Sequence, residues 1–210
     1  RDEAITSAPA ADFDSRGVGD FYVLAIDCLP DVDARLLAQV PGLPDDVFVS
    51  DGQLTKREVR AATLAKLAPF PGATLWDVGA GSGAIGIEWM RAARGARAIA
   101  FEREGERLQM IAVNASALGV PGLELVGGDA PASFGKRPPP DAIFMGGDVG
   151  NDDLFDACWH ALKPGGRLVA NAVTLEGEHA LYSRHLQLGC ELTRIEVSAL
   201  DRIGGHRAFR

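Results

Sequence analysis

Between Thr55 and Leu188 the apolar positions follow two alternating rhythms. Short and nearly unbroken apolar runs occur at "ATLWDVG" (73–79), "RAIAFE" (97–102), "LELVGGD" (123–129), "DAIFMGG" (141–147) and "GRLVANAV" (166–173). Between them, at 82–94, 104–118, 152–162 and 175–188, apolar residues return with helical spacing. The runs predict strands buried on both faces and the periodic stretches predict amphipathic helices. A further helix, "TKREVRAATLAKLAPF", precedes the first strand: Thr55 and Glu58 have capping-box spacing and Pro69 stops it. "CELTRIEVS" (190–198) reads as a sixth strand, and no seventh, antiparallel strand is evident after Asp201. Alternating strands and helices imply an α/β fold, a Rossmann-like doubly wound parallel sheet. Right-handed crossovers give strand order 3-2-1-4-5, with a ligand crevice above strands one and four.

The first residues break this rhythm. Residues 1–20 carry no periodic pattern, while "FYVLAIDCL" (21–29) reads as a strand with no partner nearby. Such a strand must join another sheet edge, a neighbouring subunit or the remnant of a preceding domain. Charge marks the same division. Residues 1–53 hold eleven acids against three bases, which accounts for the whole net charge of −8 and leaves a neutral body. The expected organisation is a tail and linker over 1–45 and one domain over 46–210.

Composition narrows the setting. Apolar residues make up 47% of the chain, yet no uncharged run approaches membrane-spanning length, so no membrane partner is expected. Three scattered cysteines fit free thiols in a reducing cytoplasm. The first residue is Arg1, with no basic-then-apolar leader, which suggests a processed chain or a piece of a longer one. Nucleic-acid binding would need a continuous basic surface that a neutral body does not suggest. The four histidines lie apart, with no ligand spacing for a metal, and Cys158 reads as packing rather than nucleophile.

The chemistry gathers at "DVGAGSGAIGIE", Asp77–Glu88, which fits two templates: the dinucleotide G-x-G-x-x-G and the acidic-x-G-x-G-x-G of S-adenosylmethionine enzymes. Gly79, Gly81 and Gly83 give a tight turn, and the helix start offers unpaired N–H groups to an anion under either template. Asp77 discriminates, because an acid at the strand end repels phosphates but suits an ammonium. Glu102 closes strand two, where a carboxylate takes ribose hydroxyls. Asp129 closes strand three, where it can accept an adenine amino group, with Ala130 beside it. Three acids at three consecutive strand ends point to a cationic, phosphate-free nucleoside, S-adenosyl-L-methionine. The bland readings are a turn acid for Asp77, a helix cap for Glu102 and a cap on the short "PASF" helix for Asp129.

The acceptor side is less determined. Gly146 and Gly147 at the end of strand four give room for a bulky planar substrate. Asp148 either orients or deprotonates it, or caps the next helix, as Asn151 also can. Lys56, Arg57 and Arg60 stand in the first two turns of the leading helix. They are either a solvated face or a cationic wall for a carboxylate-rich substrate.

"PGLPDDVFVSDGQLTKREVRA", "WDVGAGSGAIGIE", "AFERE", "GGDAP", "PDAIFMGGD" and "LKPGGRLVANAVTLE" together resemble the C-terminal, decarboxylating domain of the precorrin-6Y methyltransferases of cobalamin biosynthesis, over about residues 41–200. The resemblance implies a class I S-adenosylmethionine-dependent fold, methylation at carbon 15 of a corrin precursor and loss of carbon dioxide from the carbon-12 acetate. It also implies an upstream carbon-5 methyltransferase domain of which 1–45 is a remnant, and a tetrameric assembly. Within it, Gln53 and Thr55 close over the methionyl carboxylate, Lys56, Arg57 and Arg60 grip substrate carboxylates, and Asn171 meets the ring periphery. Relatives often carry Ser or Thr where Asp148 stands, which weighs against Asp148 as a base. The competing readings are a methyltransferase of tRNA or of a protein carboxylate, a non-catalytic binding module, and a nicotinamide-dependent oxidoreductase.

Overall fold

The computed structural model of the chain describes residues 5–203 and 205–209. It divides into two compact units, the first ending at Leu36 and the second beginning at Leu37.

The second unit is built on five parallel strands, β1 (Thr74–Val78), β2 (Arg97–Glu102), β3 (Glu124–Gly127), β4 (Ala142–Met145) and β5 (Arg167–Ala170), in the order β3-β2-β1-β4-β5. Helices α1 (Arg57–Leu67), α2 (Ala84–Ala92), α3 (Gly105–Ala117), α4 (Asp152–Ala161) and α5 (Leu175–Leu188) surround them. The alternation along β1 shows why both faces are covered. Leu75 joins a core with Leu64, Leu67, Ile87, Trp89 and Ile111 from α1, α2 and α3. Its neighbours Trp76 and Val78 join the opposite core with Leu154, Phe155 and Cys158 from α4. The register pairs Asp77 with Ala100 and Phe144, and Glu102 with Gly127. By the two-residue period Asp77 and Glu102 therefore stand on the α2–α3 side of the sheet, at its C-terminal edge.

Several local expectations are corrected. Helix α1 begins at Arg57, with Lys56 at the N-cap and no side-chain capping bond, so Thr55 and Glu58 form no capping box. The helix stops at Ala68, a left-handed residue at φ 52, one position before Pro69. Residues 190–198 are irregular, because they find no strand to pair with; Glu191 binds Lys66 at 2.5 Å and Arg194 binds Glu178 at 2.7 Å instead. The chain then forms an antiparallel hairpin, β6 (Leu200–Ile203) and β7 (His206–Phe209), outside the five-stranded sheet. In the first unit the run 21–29 is no strand but exposed irregular chain, and a 3-10 turn at Ser15–Gly17 is held by Asp14. An apolar run without a partner for its backbone gains nothing from extension.

Candidate functional site

Strand β1 delivers the chain into the loop 79–83, whose glycines 79, 81 and 83 all adopt positive φ. Gly83 is required twice over. At φ +77 it starts α2, and a Cβ there would lie 2.7 Å from the Ile111 side chain. Gly86 lets α2 sit down on β1: its N–H donates to Asp77 Oδ2 at 2.9 Å, and a Cβ would stand 3.1 Å from that oxygen.

Asp77 is 1% exposed. Its Oδ1 is buried and has no hydrogen-bond partner among the described residues. Burial pushes the carboxyl up to about 7, the Gly86 N–H opposes the shift, and the nearby charge of Glu102 adds to it. A buried acid with an unsatisfied oxygen is a site for a donor, best a cationic one. Glu102, also buried, accepts the Gly81 N–H at 2.8 Å through Oε2 and the Glu104 N–H at 3.1 Å through Oε1. It does brace the chain entering α3, and it also reaches back to the glycine loop, leaving a second lone pair on each oxygen for hydroxyl donors. The two buried acids flank a loop that a diphosphate would have to occupy, whereas an ammonium and a ribose suit them.

Asp129 lies past β3 with an exposed carboxylate that makes no hydrogen bond among the described residues. The cap reading fails: the 3-10 turn Ala132–Phe134 is capped at Pro131 without a side-chain bond, and Asp129 contributes only its carbonyl, to Ser133. Ala130 beside it is half-buried and packs against the core that holds Phe101 and Phe134.

Past β4 the two glycines separate in role. Gly146 gives no room, because a Cβ there would lie 2.7 Å from the Gly79 carbonyl; it is the close approach of two loops. Gly147 faces open space. Asp148 has φ 51 and an exposed side chain, and α4 is capped by Asn151, whose Oδ1 accepts Leu154 N–H at 3.1 Å. Asp148 is thus no cap. Asn171, after β5, donates to Thr63 Oγ1 on α1 at 2.9 Å, which fixes its amide and leaves its carbonyl oxygen unbonded among the described residues. Cys158 is buried and its thiol is pushed up to about 12, as packing requires.

The leading segment 42–56 is the part that patterns missed. Arg60, read as a substrate-gripping cation, is 0% exposed. It binds Glu88 at 2.5 Å, Asp45 at 3.0 Å, the Thr55 carbonyl at 2.5 Å and the Leu43 carbonyl, and lies over the Phe48 ring. Its guanidinium is enclosed by these partners, so Arg60 fastens the segment to α1 and α2 and does not grip a substrate. Glu88 also accepts the N–H groups of Gly42 and Leu43. Arg57 donates to the Gly42 carbonyl at 2.7 Å, and Lys56 is 67% exposed with its ammonium 3.9 Å from Asp45. Lys56 and Arg57 remain at the surface.

Buried Asn114 donates to the carbonyls of Val49 and Ser82, and accepts the Val49 N–H. Gln53 lies beside the glycine loop, its carbonyl 3.8 Å from where a Gly81 Cβ would be, and its side-chain oxygen accepts Arg107 at 3.0 Å. Thr55 is half-buried at the end of this segment. A polar residue within an apolar helical stripe was the available signal: Asn114 stands on α3 between Ile111 and the C-cap Leu118, and Glu88 within a wholly buried stretch of α2. Among the described residues no group of three His, Cys, Asp or Glu is placed to hold a metal ion, and no helix is long and apolar enough to cross a membrane.

A parallel 3-2-1-4-5 sheet, with an acid-flanked glycine loop at the mouth of its first strand, defines the class I S-adenosylmethionine-dependent methyltransferase fold. Residues 46–210 match the precorrin methyltransferase domain family, and the chain belongs to it. It is 49% identical to a Sinorhizobium protein named precorrin-6Y C(5,15)-methyltransferase (decarboxylating), over 99% of this chain and 50% of that protein. It is 30% identical to a Salmonella typhi protein named cobalt-precorrin-6B C(15)-methyltransferase (decarboxylating), over 80% of this chain and 90% of that protein. The solved C-terminal domain of precorrin-6Y C5,15-methyltransferase from Rhodobacter capsulatus superposes with TM-score 0.77 at 43% identity, covering 83% of this chain and 94% of that one. The chain thus spans about half the length of the Sinorhizobium relative and nearly all of the Salmonella one.

Proposed function

We propose that the chain methylates carbon 15 of a precorrin intermediate and decarboxylates the carbon-12 acetate, with S-adenosyl-L-methionine as methyl donor. The observation that carries the donor is the pair of buried acids Asp77 and Glu102 around the loop 79–83, one with an unpartnered oxygen. The relative that argues for the carbon-15 half is the Salmonella protein, whose name gives that reaction alone and 90% of whose length aligns with this chain.

The donor supplies a methyl group already activated by its positive sulfur, so the protein's share is alignment and exclusion of water. In this reading Asp77 takes the methionyl ammonium, the loop 79–83 and the start of α2 face the methionyl carboxylate, Glu102 the ribose, and Asp129 with Ala130 the adenine. Gln53 and Thr55 cover the methionyl end. The open side at Gly147 receives the macrocycle, and Lys56 and Arg57 are the exposed cations for its carboxylates. A ring carbon takes the methyl group while the sulfur keeps the bonding electron pair. Loss of carbon dioxide leaves an electron pair that the ring accepts and a proton then quenches. Asp148, with its unbonded carboxylate, and Asn171, with its free carbonyl oxygen, are the groups proposed at the ring edge.

Self-association is part of the proposal: β5 ends the sheet, and its outer edge pairs with no strand among the described residues. Light scattering on the purified chain reads it directly. The reaction is tested by mass spectrometry of a precorrin incubated with the chain and a labelled methyl donor. One labelled methyl gained and one carbon dioxide lost is the expected result, and an unaltered macrocycle removes the proposal.

A further inference from the structure

The segment 42–53 runs beside the cofactor loop and is held at two ends by contacts of unequal strength. Its base is buried: Glu88 and Arg60 hold residues 42–45, and Asn114 joins Val49 to Ser82 through three hydrogen bonds of 2.8–2.9 Å. Its tip rests on one surface residue of α3. Arg107 donates to Asp51 Oδ2 at 2.9 Å through Nε, approaches it at 2.7 Å through Nη2, and also donates to Gln53 Oε1 at 3.0 Å. Asp51 in turn accepts the Gln53 N–H at 3.0 Å, closing a tight turn above Gly81. Asn114 is 1% exposed, whereas the side chains of Arg107 and Asp51 are 25% and 37% exposed.

A buried, fully satisfied amide is costly to open, while a partly exposed ion pair contributes modestly and is screened by salt. The segment is therefore fixed at its root and releasable at its tip.

We propose that Arg107 is a positioning residue for the cofactor pocket, a latch that holds Asp51 and Gln53 over the glycine loop and sets how fast a bound nucleoside leaves. The inference rests on the reading of that loop as the S-adenosylmethionine site. By taking the side-chain oxygen of Gln53, Arg107 also leaves its NH2 as the free end, a donor suited to a carboxylate.

The test uses the whole chain and S-adenosylhomocysteine as probe, with Arg107→Met, Arg107→Lys and, as control, Arg103→Met. Among the described residues Arg103 pairs with its exposed neighbour Glu104, at 3.3 Å. Calorimetry gives affinity, stopped-flow gives the release rate, and hydrogen exchange by mass spectrometry follows the peptide 49–55. Arg107→Met is expected to bind about 1.5- to fivefold more weakly, the range such an exposed pair spans. The loss should lie in faster release, with faster exchange at 50–53. Arg107→Lys should fall between, and Arg103→Met should match the unmodified chain. Salt should speed release from the unmodified chain and not from Arg107→Met, a response that a purely structural role would not give.

Unchanged release and exchange in Arg107→Met overturn the latch while leaving the cofactor site intact. An unmodified chain that does not bind the probe overturns the cofactor reading, and the latch with it. If Arg107→Met fails to fold, a release rate of the unmodified chain that is indifferent to salt overturns the latch by itself.

Discussion

Two glycine loops meet at the C-terminal edge of the sheet, and they are built in opposite ways. The loop after β1 is braced on every side: Glu102 holds Gly81, Asp77 holds Gly86 beneath it, and Asn114 holds Ser82. The loop after β4 touches the first at Gly146 and drops Val149 into the core, but Gly147 faces open space and the Asp148 carboxylate is exposed and bonded to nothing among the described residues. A site that must hold one small charged nucleoside gains from a cage fixed in advance, because ordering costs are met at folding rather than at binding. A site that admits a large flexible-edged ring gains from space.

The largest expected effect attacks the braced side. In Gly83→Ala the new Cβ meets Ile111 at 2.7 Å in a backbone at φ +77. Left-handed strain of about 1–2 kcal/mol and overpacking of about 1–3 kcal/mol should together remove roughly 2–5 kcal/mol of stability. Calorimetric melting should then fall by about 4–20 °C. A melting point within about 1 °C of the unmodified chain would show that the first loop is not the rigid member of the pair.

Asp77 sharpens the contrast through pH. Its carboxyl titrates near 7 in the fold against 3.8 ordinarily. Between those values the native state keeps a proton that the unfolded chain has released, so stability should decline as pH rises from about 4 to 7, and Asp77→Asn should abolish that slope. A ligand ammonium needs the ionised form. Affinity for S-adenosylhomocysteine should therefore strengthen from pH 6 to 8, and at pH 8 Asp77→Asn should lose about 1.5–3 kcal/mol of binding. A flat affinity profile for the unmodified chain would dismiss Asp77 as the ammonium partner.

The same two loops show how far patterns reached. Strand order, the helices and the acids at the ends of β1 and β2 were legible, because a buried parallel sheet writes its period into the chain and Asp77 interrupts an apolar run. Arg60 was not. Near the start of a helix an arginine reads as a surface cation, and only the fold of 43–48 back onto α1 brings Asp45, Phe48 and the Leu43 carbonyl around it. Gly146 was misread for the same reason: an identical neighbour hides which glycine is packed and which is free. The apolar runs 21–29 and 190–198 have strand composition without strand partners, and composition does not supply partners.

That distinction is itself measurable. Gly146→Ala places a Cβ 2.7 Å from the Gly79 carbonyl, a backbone atom that cannot swing aside. About 1–3 kcal/mol of stability should be lost, and the nucleoside should bind less tightly as the first loop is pushed. Gly147→Ala meets nothing and should stay within about 0.5 kcal/mol, its cost falling instead on macrocycle binding. Equal melting points for the two variants would erase the assignment of one glycine to packing and the other to space.

The smallest expected effect is at Asp148. Its carboxylate is exposed and bonded to nothing among the described residues, and the helix behind it is capped by Asn151. Asp148→Ser should leave melting and S-adenosylhomocysteine affinity within about 0.5 kcal/mol of the unmodified chain, since no buried contact is lost and the braced loop is untouched. The left-handed backbone at φ 51 favours a short polar side chain, and serine lacks some of aspartate's ease there, so any change should be a slight destabilisation. Turnover then isolates the chemistry. A carboxylate that moves a proton contributes about 10²–10⁴-fold, and its loss would show as a fall in kcat with KM unaltered and a missing limb in the pH–rate profile. Retained turnover would leave the open loop a place that receives the ring without acting on it, and would put the whole of the catalytic advantage on the caged side.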